Sequence, residues 1–243
     1  MPPLKPYGAE LSYSYAPGVF PSLALMQAAP ERAKRLLLSE KAQGDGVEKL
    51  RAICREHRVR EEIADKALSR VSGKQNCFAA VVFEKWQSEL NGDAPHVVLH
   101  HPMDEGNLGT IQRTLLGLGI LDIAVIRPAA DVFDPKVVRA TMGAIFSLRV
   151  KQYDDFSLYR AEHPKHTLYP FMLDGSVLLR EAVRLRREPF ALVFGNEGSG
   201  LPPEFARLGR AVRIPHNDQI DSLNLSVAVG IGAYAFVHAA GRG

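Results

Sequence analysis

The chain has 243 residues, 46% hydrophobic and 23% charged, the composition of a globular protein with one large domain or two small ones. No apolar run approaches the roughly 20 residues of a membrane span, MPPLKPYGAE lacks the apolar stretch of a signal peptide, and two cysteines, Cys54 and Cys77, are too few for a disulfide framework or a cysteine-rich zinc site; a cytoplasmic protein without a membrane partner is expected. The net charge of +3 lies in the N-terminal third, where residues 1–90 hold 14 Lys/Arg, Arg32, Lys34 and Arg35 among them, against 11 Asp/Glu, and on charge alone this reads first as a solvated basic face.

The first 15 or so residues, rich in Pro and Tyr, read as an arm. Pro21–Ala29 is expected to be helical, and Ala33–Leu38 holds a short apolar run. Gly46–His57 carries Val47, Leu50, Ile53 and Cys54 at helical spacing. A strand over Arg58–Glu61, a helix over Ile63–Val71 and a buried strand over Cys77–Phe83 complete a small α/β unit. The polar stretch Glu84–Pro95, broken by Asn91-Gly92 and Pro95, reads as a linker. Beyond it, apolar runs recur at His96–His100, Ile120–Ile126, Leu148–Val150, Thr167–Leu173, Phe190–Phe194 and Ala211–Ile214, with helical patterns between most of them. Such alternation predicts a parallel sheet covered by helices. The last element, Ser222–Ala240, is almost wholly apolar and reads as a core or interface helix.

Three clusters follow strands, where open α/β sheets bind ligands. In EGNLGTIQRT, Asn107 and Arg113 lie six apart with a helix starting between them. Asn107 as a cap and Arg113 as a surface charge would explain them structurally. In FGNEGSGLPPEF a glycine-rich loop allows close backbone approach. It lacks the Lys-Ser/Thr of a phosphate loop, and Glu197 there has a plain alternative role in bonding backbone amides. In IPHNDQIDSLNLSVAVGI, Asp221 or Ser222 would cap the final helix, placing Ser222 and Asn224 in its first turn.

Taken in order, NLGTIQRT, FGNEGSGL and IPHNDQIDSLNLSVAVGI, preceded by ATMGAIFSLRV (Ala140–Val150), resemble the signature segments of the SpoU branch of the SPOUT RNA methyltransferases, the TrmH-like enzymes. The resemblance covers about residues 96–240. It departs at His216-Asn217, where relatives more often have Met and a small residue, and at LLGLGI after Arg113. Residues 17–83 resemble more loosely the substrate-binding domain often fused ahead of such enzymes, itself similar to an RNA-binding protein of the large ribosomal subunit. GVFPSLALMQAA, RLLLSE and CFAAVVF carry that likeness, and the SGKQN turn departs from it.

The resemblance implies an α/β protein: a trefoil-knotted, parallel-sheet SPOUT methyltransferase domain over 89–243, preceded by a small α/β RNA-binding domain with its arm over 1–88. It implies transfer of a methyl group from S-adenosylmethionine to a ribose 2′-hydroxyl of structured RNA, ribosomal RNA ahead of transfer RNA. Gly195, Ile214 and Leu223 match positions that hold the adenosine part of the cofactor. Arg113 matches the family's essential arginine, Asn107 and Glu197 would orient it or the ribose, and Ser222 and Asn224 would complete the pocket. No metal is expected in this chemistry, since the histidines show no HExxH spacing. The family works as homodimers with the final helix in the interface; Ala228, Gly230, Gly232 and Ala233 would allow close approach there, although burial within one protomer explains them as well. Two other classes remain in view. A non-catalytic RNA-binding protein on the same fold is disfavoured by the retained polar residues, and a Rossmann-type small-molecule methyltransferase by the late position of the glycine loop.

Overall fold

The computed structural model of the chain describes residues 5–72 and 77–238. Most of the SGKQN turn, the first residues of the expected arm and the end of the last apolar element lie outside the described residues. In chain order the elements are β1 (Tyr13–Pro17), α1 (Val19–Ala28), β2 (Ala33–Leu38), α2 (Asp45–Glu56), β3 (Arg60–Ile63), α3 (Asp65–Ser72), β4 (Ala79–Glu84), β5 (His96–His100), α4 (Glu105–Gly117), β6 (Asp122–Ile126) and α5 (Pro135–Ala140). There follow β7 (Arg149–Tyr153), α6 (Phe156–Glu162), β8 (Thr167–Pro170), β9 (Val177–Leu178), α7 (Leu179–Arg184), β10 (Phe190–Phe194), β11 (Val212–Arg213) and α8 (Leu225–His238). They form two compact units. The first comprises the chain up to Trp86 together with Asp131–Ser147, and the second Gln87–Ala130 together with the chain from Leu148 onward.

The first unit is built on a four-stranded sheet in the order β1-β4-β2-β3, with β1 and β2 antiparallel to β4 and β3 parallel to β2. Part of the expected arm is therefore an edge strand: Tyr15 is fully buried and its hydroxyl donates to the Lys5 carbonyl at 2.6 Å. A Tyr-Ser-Tyr run suits a pleated, half-covered surface better than a free tail. The opposite edge, β3, reads Arg-Glu-Glu-Ile, and such charged side chains discourage further strand pairing. On α2, Val47, Leu50 and Cys54 are buried along one face. The segment Asp131–Ser147, expected in the second domain, belongs to this unit instead. Phe133 and Phe146 join Phe83 and Trp86 in an aromatic cluster with ring centroids 5.1–6.2 Å apart. The Ser14 hydroxyl donates to the Phe133 carbonyl at 2.5 Å, and Tyr7 donates to the Asp131 carboxylate. Gly143, at φ +93°, lets α1 come close; a Cβ there would lie 2.4 Å from that of Ala24.

The second unit holds a five-stranded, wholly parallel sheet in the order β7-β6-β5-β10-β8. Every residue of β5, β6 and β10 is buried, which is why these strands read as unbroken apolar runs. Ala211–Ile214 does not join this sheet: β11 pairs with β9 in a separate two-stranded ribbon. Helix α8 runs over α4 and β10. Gly232 makes that approach feasible, since a Cβ there would meet the Phe171 ring at 2.7 Å. At the start of β6, the buried Asp122 carboxylate receives Arg149 Nε and Nη2 at 2.6 and 2.5 Å and the Asn91 amide at 2.8 Å, tying the linker to the sheet. Asp122→Ala strands a guanidinium and an amide together; because the Arg149 side chain is 38% exposed, the expected cost is about 2 kcal/mol, below that of a fully buried pair. Urea unfolding should show it as a lower midpoint with an unchanged slope.

Candidate active site

In a parallel sheet all strands end on one edge, so the loops after β5 and β10 are neighbours by construction. Their side chains join them. After β10, Gly195–Gly200 doubles back on itself, with the Asn196 and Gly200 backbones exchanging hydrogen bonds of 3.2 and 2.9 Å. Asn196 Oδ1 accepts from the Gly198 and Ser199 amides at 2.9 and 3.1 Å, and its Nδ2 donates to the His101 carbonyl at 2.8 Å. Glu197 Oε1 and Oε2 accept from the Asp104 and Met103 amides at 3.0 and 3.1 Å, just ahead of α4. The plain role anticipated for Glu197, bonding amides, is thus the one observed, and its carboxylate is occupied.

The caps differ from expectation. Asp104, not Asn107, caps α4, accepting from the Asn107 amide at 2.6 Å. Asn107 and Arg113 both lie inside that helix. Asn224, not Asp221 or Ser222, stands at the head of α8: its Oδ1 accepts from the Ser226 amide at 2.9 Å and the Ser226 hydroxyl at 2.7 Å. Its Nδ2 donates to Asn107 Oδ1 at 3.1 Å. One amide side chain therefore caps a helix and fastens the third cluster to the first.

Between these loops lies a cavity of about 380 Å³, with Phe171, Phe194, Ile214, Leu223 and Leu225 on its apolar side and Glu197, His216, Asp221 and Ser222 on its polar side. The Phe171 and Phe194 rings stack at 4.3 Å. Of the expected site residues, Gly195, Glu197, Ile214, Ser222 and Leu223 line the cavity, while Asn107 and Asn224 stand beside it, joined to each other. Arg113 does not line it. Six residues along α4 carry it roughly 9 Å from Asn107 and about a third of a turn around the axis. It is exposed and, among the described residues, makes no hydrogen bond or ion pair. Sequence reasoning missed Asn196 and Asp104. An Asn at a tight turn and an Asp before a helix carry a usable local signal, but their reach across the site does not. His100, the last residue of β5, is pushed down to about 4 by burial and by the neighbouring His101, so its ring is neutral at pH 7.

The loop's glycines differ in what they tolerate. A Cβ on Gly195 would lie 2.1 Å from the Gly200 carbonyl carbon, Gly200 has open space but φ +68°, and Gly198 meets only Asn196 Oδ1 at 3.5 Å. Alanine substitutions should rank in that order. Gly195→Ala is expected to cost about 2–3 kcal/mol through overpacking, Gly200→Ala about 1 kcal/mol for the left-handed backbone, and Gly198→Ala close to nothing. Denaturant midpoints of the three variants check the ranking.

The model of the SpoU rRNA Methylase family matches residues 94–234. The chain is 31% identical over 181 residues to an uncharacterized tRNA/rRNA methyltransferase of Synechocystis, covering 72% of this chain and 65% of that one. It is 25% identical to the 23S rRNA (guanosine-2′-O-)-methyltransferase RlmB of Acinetobacter baylyi, covering 93% and 96%. A crystal structure of an AdoMet-bound rRNA methyltransferase from Sinorhizobium meliloti superposes with a TM-score of 0.78 at 28% identity, covering 93% of this chain and 87% of the other. The chain spans less than two thirds of the length of several curated relatives, between 29% and 65% of it. The matched residues run from the first strand of the parallel sheet through all three loop clusters into α8, and by that match the chain belongs to the SpoU rRNA methylase family.

Proposed function

We propose that this protein transfers a methyl group from S-adenosylmethionine to a ribose 2′-hydroxyl of RNA, with ribosomal RNA ahead of transfer RNA as substrate. The observation that carries the reading is the convergence of three loops on one cavity, held by the Glu197, Asn196 and Asn224 hydrogen bonds. The residues fit the cofactor. The cavity falls in the size range of small-molecule sites, its apolar side suits a purine, and the Gly195 loop offers backbone groups rather than side chains. Gly195, Ile214 and Leu223 hold the adenosine part, with Ser222 at the polar side. When bound, the cofactor supplies an electrophilic methyl on a sulfonium that leaves as a neutral thioether.

The chain's own task is to align the hydroxyl and relieve it of its proton. With the cofactor held by Gly195, Ile214 and Leu223, the aligned hydroxyl would accept its methyl and give up its own proton to a phosphate oxygen or water. Arg113 does not serve as the base, because a guanidinium offers N–H donors and no acceptor. As an exposed cation without a hydrogen bond or ion pair among the described residues, it grips a phosphate and stabilises the developing alkoxide. Glu197, already engaged with two amides, holds the start of α4 in place. Asn107 and Asn224 keep α4 and α8 in register across the site.

Two surfaces extend the proposal. On α8, Val227, Ile231 and Tyr234 are exposed at i, i+4 and i+7 while Val229, Gly232, Ala233 and Phe236 are buried within the chain. The outward stripe forms a homodimer interface. On the first unit, Lys5, Arg60, Lys66 and Arg70 line a cavity of about 670 Å³ together with Glu40, Glu62 and Asp65; these cations outnumber the carboxylates and would meet RNA phosphates. The basic residues prominent in the sequence are less free: Lys34 pairs with Glu84, Arg35 with Glu62, and Arg32 lies over the Trp86 ring.

Arg113→Ala should abolish transfer while leaving calorimetric affinity for the demethylated cofactor and the melting temperature nearly unchanged. Arg113→Lys should also fail, since a point charge does not reproduce the guanidinium fork; turnover close to wild type would overturn the assignment. Light scattering at micromolar concentration should give twice the 26.7 kDa chain mass, reverting toward one mass in Ile231→Asp. Removing Arg60, Lys66 and Arg70 together should weaken RNA binding and lower its salt slope by about 2–3, close to one per phosphate contact. An unchanged slope would assign that cavity no role in RNA binding.

A further inference from the structure

At the opposite end of the parallel sheet from the cofactor cavity, three histidines come together. His96 opens β5, His163 caps the end of α6, and His166 immediately precedes β8. All three are buried, and one ring nitrogen of each lies within 4.8 Å of those of the other two. The His96 and His166 rings stack at 4.0 Å, and His163 meets His96 edge-on at 4.7 Å. Strands of this length separate the two sheet edges by roughly 13 Å, so the cluster takes no part in the chemistry described above.

The hydrogen bonds fix which nitrogens are available. His96 Nε2 lies 2.9 Å from the Asn91 carbonyl, and His166 Nε2 lies 2.9 Å from the Ala94 carbonyl. A carbonyl only accepts, so both Nε2 atoms carry the proton and both Nδ1 atoms present lone pairs. The Nδ1 lone pair of His96 faces the Tyr159 hydroxyl at 3.0 Å. That of His166 has no partner among the described residues although the side chain is buried, an arrangement native interiors rarely tolerate. A histidine whose outer N–H is held by a backbone carbonyl while its other nitrogen points at its neighbours is the usual posture of a metal ligand. Burial lowers the proton affinity of all three rings, leaving the neutral form that metals require. The Tyr153 hydroxyl lies 3.2 Å from His163 Nε2, and Glu162 Oε1, which also accepts from Lys151 Nζ at 2.9 Å, lies 3.4 Å from it; either oxygen is near enough to take a fourth position.

We propose that His96, His163 and His166 form a structural site for one borderline divalent transition ion of the zinc class. Imidazole donors select such ions over magnesium or calcium. Tetrahedral zinc needs nitrogens about 3.3 Å apart, so binding draws the three rings together by roughly 1 Å and splays the stacked pair. The ion cross-links the starts of β5 and β8, the strands on either side of β10, to the end of α6.

The test uses the full chain without a polyhistidine tag, stripped with chelator and titrated with Zn²⁺ against a chromogenic competitor. One equivalent per chain is expected, with a rise in melting temperature. The His96→Asn and His166→Asn variants should bind at least about 100-fold more weakly, since loss of an outer-shell partner alone costs 10–100-fold. Co²⁺ on the unaltered protein gives an independent reading should a variant not fold: visible ligand-field bands of tetrahedral strength, without the near-ultraviolet band of a thiolate. No binding at 100 µM Zn²⁺, undiminished binding in a folded double variant, or a cobalt spectrum that is octahedral or thiolate-ligated would each overturn the proposal.

Discussion

The Asn196–Glu197 pair is the joint on which the site depends. A parallel sheet delivers its loops to one edge, but it does not dictate how those loops stand to one another. Here two consecutive side chains of one loop hold three main-chain groups of another, the His101 carbonyl and the Met103 and Asp104 amides. The Asp104 amide is the N-cap donor that α4 leaves without an intrahelical partner and the Met103 amide lies just before it, so one carboxylate serves the helix end and fixes its approach together. Asn224 repeats the device from the other side, capping α8 and bonding Asn107. Hydrogen bonds already made thus hold the cavity's loops in place, while Arg113 stands outside its lining, exposed and, among the described residues, without a hydrogen bond or ion pair.

How much of this was legible in the sequence varies with the range of the interaction concerned. His96–His100 and Phe190–Phe194 were readable to the residue, because strands buried on both faces leave no alternation to blur their ends. The three clusters were readable as a set, since each follows a strand and their order matches one family. Which residue performs which bond was not readable. Glu197 meets an amide 93 residues away, and no local preference encodes that distance. Around α8, Asp221, Ser222 and Asn224 are all competent caps by residue type, and only the observed helix start at Leu225 picks out Asn224.

The first unit shows the same limit in a different form. The first 15 or so residues read as an arm because they are rich in Pro and Tyr; pairing with β4 makes Tyr13–Pro17 an edge strand, a partner that lies some 70 residues on and leaves no local trace. Arg35 looked like an exposed base and is an ion-paired, mostly covered side chain beside Glu62. Asp131–Ser147 looked continuous with the segment around it, since the family resemblance runs through it. Its place in the first unit rests on Phe133 and Phe146, whose partners Phe83 and Trp86 lie some 50–60 residues earlier.

That excursion sets the order in which the protein can fold during synthesis. The four strands of the first unit are complete once Glu84 has been made, yet the aromatic residues that cover β4 arrive only with Phe133 and Phe146. At translation speeds of 5–20 residues per second, the roughly 60 residues from Trp86 to Ser147 take about 3–12 s. Throughout that interval Phe83 and Trp86 present an uncovered apolar surface on the nascent chain. By the time it closes, β5, α4 and β6 have already emerged, so the two units mature in overlapping rather than successive windows. A chaperone that recognises exposed aromatic surface has its longest opportunity there, well before the sheet of the second unit is finished.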